Sequence, residues 1–321
     1  TFSLLCVFVI VYPIFAQQKN TEQKYKVYGF QISGENVEKS NAETFPITAK
    51  TKKSRENIMQ SGIVVSAKLD VPETWKGNNL GVVIYKNLMS CDLYVNDNFI
   101  GSVGRKGADF FFTPYISRGF IVNNHFLHKG ENNIRFEFWN DTGDYSFRML
   151  SVLDEHIYIK SMRLYEFLDV QLPHFVTVLL LFVAIYCFFM FVNYRERKDF
   201  LHLTLASMFF AIYMLNVAIY DSTIPYCKLK QMLYACFPLS IIFVIRFFRR
   251  FFVIQTPKIV LYIFNSVGII FTVGYFFMPN TALTDTWHSL MLAYPFAGLV
   301  YGILGFVKAV KIDTKSVIAA G

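Results

Sequence analysis

Cysteine is scarce here and badly placed for a framework: there are five in 321 residues. Cys6 lies in an N-terminal apolar run, Cys187 and Cys236 in later apolar segments and Cys227 beside one, which leaves Cys91 alone in the polar first half. A disulfide scaffold is therefore excluded, and only a link from Cys91 across to Cys227 stays open. No CxxC and no His/Cys cluster argues for a metal, and no cofactor is expected. GxSxG, P-loop, HExxH and kinase motifs are missing as well, so these residues are expected to be non-enzymatic. The most telling scarcity is of charge. From Leu172 onward, five long segments carry no Asp, Glu, Lys or Arg in their middles: Phe175–Val192, Phe200–Tyr220, Gln231–Phe252, Ile259–Met278 and Trp287–Val307. Each can cross the roughly 30 Å hydrocarbon layer as a helix, and the lipid bilayer is the first expected partner.

What is abundant agrees. The chain is 54% hydrophobic and 18% aromatic, with 35 Phe and a formal charge of +8. A soluble domain is rarely so apolar. Of the 31 Lys+Arg and 23 Asp+Glu, 19 and 17 lie in residues 17–168, leaving 12 and 6 for the apolar half. The positive excess thus belongs to short loops between spans, and no nucleic-acid partner is expected. Ten basic residues, among them Arg195, Arg197, Arg246, Arg249 and Arg250, fall on one side, against Lys228 and Lys230 on the other. The positive-inside rule places the ten in the cytoplasm and residues 17–168 outside, in a multi-pass protein of the inner (cytoplasmic) membrane with an extracytoplasmic N-terminal domain.

Residues 1–16 (an apolar run ending Ile14-Phe15-Ala16 before Gln17) have the h-region and cleavage pattern of a signal peptide whose charged start is missing. Cys6 lies inside that run, so lipidation is not expected. With no initiator Met, the sequence is expected to be a fragment. Residues 17–60 could be a linker, an added strand or a partly disordered extension.

The polar half alternates with period two from Gly62 onward. Gly81–Tyr85 reads as a strand, Asp92–Gly101 as a hairpin turning at Asn96-Asp97, and Ile134, Phe136 and Phe138 as the inward face of another strand after a turn at Gly130. Ile157, Tyr158 and Ile159 read as a last strand before the membrane. The expectation is an all-β sandwich or jelly roll over residues 61–168, then a transmembrane helical bundle over 172–315, with 316–321 opening a sixth span.

Two strings sharpen this. Leu93-Tyr94-Val95-Asn96-Asp97-Asn98-Phe99-Ile100-Gly101 and the later His128-Lys129-Gly130-Glu131-Asn132-Asn133-Ile134-Arg135-Phe136 resemble the hairpin and following strand of galactose-binding-like jelly rolls, with Asp97 in place of the usual turn glycine. The resemblance implies an extracytoplasmic small molecule or glycan as ligand. Arg105, Lys106 and Asp109 follow the hairpin, while Trp139, Asn140, Asp141, Asp144, Tyr145 and Arg148 lie in and after the Ile134 strand. An aromatic beside Asn, Asp and Arg suits stacking on a sugar and bonding its hydroxyls. Arg105, Asp109, Trp139, Asn140, Asp141, Tyr145 and Arg148 are the candidate ligand-binding set; a polar loop with a Trp capping the core would look the same.

In the apolar half, Pro238 and Pro295 read as kinks, and Arg246, Arg249 and Arg250 share a helix face that either snorkels to lipid phosphates or meets a cytoplasmic neighbour. The order of domains, Val192–Leu201 (VNYRERKDFL) and Ile245–Phe252 (IRFFRRFF) together resemble the bacterial seven-transmembrane receptors with diverse intracellular signalling modules. The resemblance implies seven spans, of which five are present, and a cytoplasmic signalling module beyond residue 321. It also implies homodimers and a coupling face at Arg195, Arg197, Arg246, Arg249 and Arg250. The expected function is transmembrane signal transduction. The alternative is a membrane-embedded enzyme or transporter with an accessory sugar-binding domain, whose chemistry would fall to Asp169, His174, Asp221, Asp285 and His288 at the outer boundary. A structural anchor for a binding module is a third reading.

Overall fold

The computed structural model describes residues 25–34, 47–50, 62–84, 89–106, 110–112, 116–140, 144–147, 150–219, 222–252, 257–304 and 307; for 47–50 and 144–147 this covers the backbone alone. Among the described residues ten strands come first: β1 (Lys26–Gly34), β2 (Ile47–Lys50), β3 (Ile63–Val71), β4 (Leu80–Ile84), β5 (Ser90–Val95), β6 (Asn98–Val103), β7 (Arg118–Val122), β8 (Gly130–Trp139), β9 (Asp144–Phe147) and β10 (Leu150–Asp154). They pair antiparallel as a five-stranded sheet β1-β3-β8-β5-β6, a three-stranded sheet β10-β4-β7 and the pair β2-β9. Residues 26–34, open between three readings from sequence, are an added strand on the β3 edge.

Alternation dictates the core. In β3, Val65, Ala67 and Leu69 point inward, in β8 Ile134, Phe136 and Phe138, and in β5 Leu93 and Val95; they meet Leu80, Val82, Phe120, Val122 and Val152 of the three-stranded sheet in one cluster. The hairpin expected at Asn96-Asp97 is there, with φ of 48° and 62° at the two turn residues, the positive pair that a two-residue turn of matching twist needs. Asn and Asp accept that conformation more readily than other residues. The two strings singled out in the sequence are joined side chain to side chain. Asn96 Nδ2 donates to Asn132 Oδ1 at 2.9 Å and to the Phe126 carbonyl at 2.8 Å. Fully buried Asn132 in turn donates to the carbonyls of His128 (2.7 Å) and Gly130 (3.1 Å). Cys91 and Cys227 are not joined by a disulfide, so the one link left open between the halves is not made.

One expected strand is a helix. Ile157, Tyr158 and Ile159 belong to α1 (Glu155–Glu166), whose buried Tyr158, Ser161 and Tyr165 recur at helical spacing. Their Ile-Tyr-Ile texture suggested a strand, but Tyr158 packs on Val83 of β4 only from a helix lying across the three-stranded sheet. Gly81 makes room for it, since a Cβ there would stand 2.0 Å from the Tyr158 ring.

A π-helical turn (Phe167–Gln171) carries α1 without a break into α2 (Leu172–Asn193), giving one helix of 39 residues. There follow α3 (Lys198–Ala218), α4 (Tyr226–Phe251), α5 (Lys258–Gly274) and α6 (Thr281–Met291). After a turn at Leu292 the last helix resumes over 293–304. Pro295 explains that interruption, because it has no N–H to offer the Met291 carbonyl. Among the described residues, five helices are therefore long and apolar enough to cross a membrane. The central one is α4, 44% buried over its most apolar window against 11–22% for the others. Elsewhere large side chains face outward, Phe182 being 68% exposed, which suits a hydrocarbon surround.

Candidate functional site

The sheets and helices meet at a hook. After β6, Gly104 at φ +78° turns the chain where a Cβ would sit 2.6 Å from the Phe111 carbonyl oxygen. Paired backbone bonds between Arg105 and Phe111 (2.8 and 3.2 Å) then close a loop. On its returning arm Phe110, Phe111 and Phe112 are all buried against Tyr226, Leu229 and Leu233 of α4, with Ile212, Leu215 and Ile219 alongside. Phe111 meets the Tyr226 ring edge-on at 5.7 Å and Phe112 meets it at 4.4 Å. Burial of this size contributes about 1.5–3 kcal/mol per ring. The Arg105 guanidinium donates to the Ser222 carbonyl between α3 and α4. A second tie lies at the π-turn, where the buried Asp169 carboxylate accepts the Ser117 N–H at 3.1 Å.

Directly under the hook is a polar cluster. In α4, residues 226, 229, 230, 233 and 234 share one buried face, so Lys230 points inward and is 2% exposed. Its ammonium meets Asp285 of α6 at 2.7 and 2.8 Å and lies 5.4 Å from the ring centres of both Tyr226 and Tyr234. One turn further along α6, His288 contacts the Tyr275 hydroxyl at 2.8 Å through Nδ1 and the Tyr213 hydroxyl at 3.4 Å through Nε2. A neutral imidazole with one donor and one acceptor serves both. The cluster thus joins α3, α4, α6 and the end of α5. Lys230 and Asp285 are each the fifth residue of their helix, about 6 Å from its start at 1.5 Å per residue. Between hook and lysine is a cavity of about 10 Å³, room for about one water.

The candidate ligand residues lie as follows. Arg105 and Trp139 come together at the hook, Trp139 packing against the phenylalanine cluster. Lys106 lies 4.4 Å over the Trp139 ring and 2.9 Å from Asp92, a hydrogen bond that raises the pKa of the amine. Asn140 is buried beside them. Tyr145 belongs to the backbone of β9; its side chain, and Asp109, Asp141 and Arg148, lie outside the described residues. Of the residues singled out at the helix boundary, Asp285 and His288 share the polar cluster. Asp169 sits apart in the π-turn, where His174 contacts the Val170 carbonyl at 2.7 Å, and Asp221 lies outside the described residues. Arg195, Arg197, Arg246, Arg249 and Arg250 are all at the opposite end of the bundle, Arg197 held by Asp199 at 2.8 Å.

Sequence reasoning missed the hook and the inward-facing lysine. Hydropathy alone puts Lys230 in a loop, whereas its spacing from Tyr226, Leu233 and Tyr234 is the signal that places it inside α4. The Phe110-Phe111-Phe112 run in a polar loop was the signal for the hook. No known family model and no curated protein matches the chain.

Proposed function

We propose that this chain is the sensing and membrane part of a signal-transducing receptor. The sheets form the extracytoplasmic domain, a jelly roll that takes a small molecule or glycan. The helices belong to a seven-span bundle of the cytoplasmic membrane that relays binding to a module beyond residue 321, in the manner of the bacterial receptors it resembles. The observation that carries this reading is the double attachment of the sheets to the helices: α1 runs unbroken into α2, while the Phe110–Phe112 hook seats on α4. A simple tether needs only the first. A ligand that binds one seating of the hook better than another shifts the bundle by that difference in affinity.

Cys227, half-exposed in the first turn of α4, is a built-in reporter. With the chain reconstituted in nanodiscs, its alkylation rate is followed while neutral, amino and acidic saccharides are titrated. The expected outcome is a severalfold change with one class, lost in Phe112→Ala while that saccharide still binds. Binding that leaves Cys227 unmoved throughout would instead identify an anchored binding module.

The Lys230–Asp285–His288 cluster favours one alternative, a membrane-embedded enzyme or transporter. Full ligand-dependent change in Lys230→Met and His288→Phe would remove it.

A further inference from the structure

The end of the bundle remote from the sheets is strongly one-sided in charge. Between residues 194 and 202 and between 246 and 258, seven side chains are basic and two acidic. Asp199 is engaged by Arg197, which grips both its oxygens at 2.8–3.3 Å. Arg246, Arg249 and Arg250 have no carboxylate at ion-pair distance among the described residues. They recur at i, i+3 and i+4 along the last turns of α4 and so share a face. From the neighbouring helix, His202 of α3 stacks on Phe243 at 6.2 Å, and the Arg246 guanidinium lies 5.6 Å from the same ring. His202 is within electrostatic reach of all three arginines, and its buried Nδ1 has no hydrogen-bond partner among the described residues. Arg250 is exposed and Arg246 and Arg249 are half-buried, so the three guanidiniums form a concentrated, reachable patch of positive charge that attracts an anion.

What matches them is an oxyanion with several acceptor atoms. Guanidinium forks fit phosphate in pairs, and a phosphate could take more than one of them. The depth argues for the source. Phe251, 54% exposed, closes α4 beside the arginines, so the cations stand where an apolar span reaches the headgroup layer. We propose that this end of α4, beside α3, binds the phosphate of an anionic phospholipid headgroup, gripped by Arg246, Arg249 and Arg250. Asp199, next to Arg250, sets a boundary by repelling a second anion. Such a site makes the stability of the α3–α4 pair depend on the lipid around it.

The test uses the whole chain in nanodiscs of phosphatidylcholine with and without phosphatidylglycerol. Lipid retained on detergent extraction is counted by native mass spectrometry, and the thermal midpoint is read in parallel. Phosphatidylglycerol is expected to be retained over phosphatidylcholine and to raise the midpoint. Each arginine removed lowers retention about fivefold, the equivalent of about 1 kcal/mol per cation near a charged surface. The variants are R246Q, R249Q and R250Q, separately and together, so that misfolding of the triple variant leaves the single ones to decide. Equal retention of the two lipids, or undiminished retention of phosphatidylglycerol by the arginine variants, overturns the proposal. If inorganic phosphate in phosphatidylcholine discs raises the midpoint as far as phosphatidylglycerol does, the ligand is a soluble phosphate and the lipid assignment falls.

Discussion

Lys230 and Asp285 make a two-oxygen ion pair between α4 and α6, with the lysine buried and the aspartate 44% exposed. The asymmetry sets a prediction. Removing the carboxylate strands a buried ammonium, whereas removing the ammonium leaves a carboxylate that water can reach. Asp285→Ala is expected to cost about 3 kcal/mol and Lys230→Met under about 1 kcal/mol. Thermal unfolding of the two variants in one nanodisc preparation checks the order.

Asn132 tests whether the two sequence strings are welded as the contacts suggest. Its side chain accepts from His128 N–H and Asn96 and donates to two carbonyls, all away from solvent. Asn132→Ala strands several of these groups at about 1–3 kcal/mol each. Asn132→Asp is expected to be worse, because a carboxylate would face the two carbonyls. Asn96→Ala, at a half-exposed position, should be the mildest, and urea titration of the three variants ranks them.

The hook predicts a separation of effects. Phe112→Ala removes a ring packed on Tyr226 outside the sheet core. Hydrogen exchange is expected to rise in the first turns of α4 while β3, β5 and β8 keep their protection. Equal loosening of both regions would mean that the hook belongs to the sheet core after all.

Two surface pairs fix the pH limits of the sheets. Hydrogen bonds from Lys68 and Tyr28 lower the Glu131 pKa, so its contribution is present above the unfolded carboxylate value and is lost as pH falls through the folded one. The Asp92 hydrogen bond raises Lys106, so that contribution is present below the unfolded amine value and is lost as pH rises through the folded one. Between about pH 5 and pH 10 neither pair should give a slope. Glu131→Gln should flatten the acid limb of a stability profile and, because Glu131 also raises Lys68 and Tyr28, part of the alkaline limb, which Lys106→Met flattens as well, all weakly and more weakly still in high salt.

What the sequence revealed follows from the range of the forces involved. The five long apolar helices were legible to within about six residues at each end, except that the first begins at Glu155, because an uncharged run of about twenty residues has few other ways to satisfy its backbone. The Asn96-Asp97 turn and the Ile134–Phe138 alternation were legible because they are local geometry. Tyr158 and its neighbours were misread because their state is decided by β4, some seventy residues earlier in the chain. Lys230 was misread because hydropathy treats a lysine near a span's end as exposed, and only its partner Asp285 accounts for its burial. Phe110–Phe112 could be recognised as a hook only once α4 was in place beneath it.

The unbroken helix of α1 and α2 has a mechanical consequence. At 1.5 Å per residue, the part from Glu155 through the π-turn measures about 25 Å and α2 about 33 Å. The π-turn stands near the junction, pinned through Asp169 to Ser117. Measured from Asp169, the upper arm is about 21 Å and the lower about 36 Å, so a rod held there is a lever with unequal arms. Tilting the upper arm by about one ångström at its tip would swing the far end of α2, beside Arg195 and Arg197, by about 1.7 Å the other way.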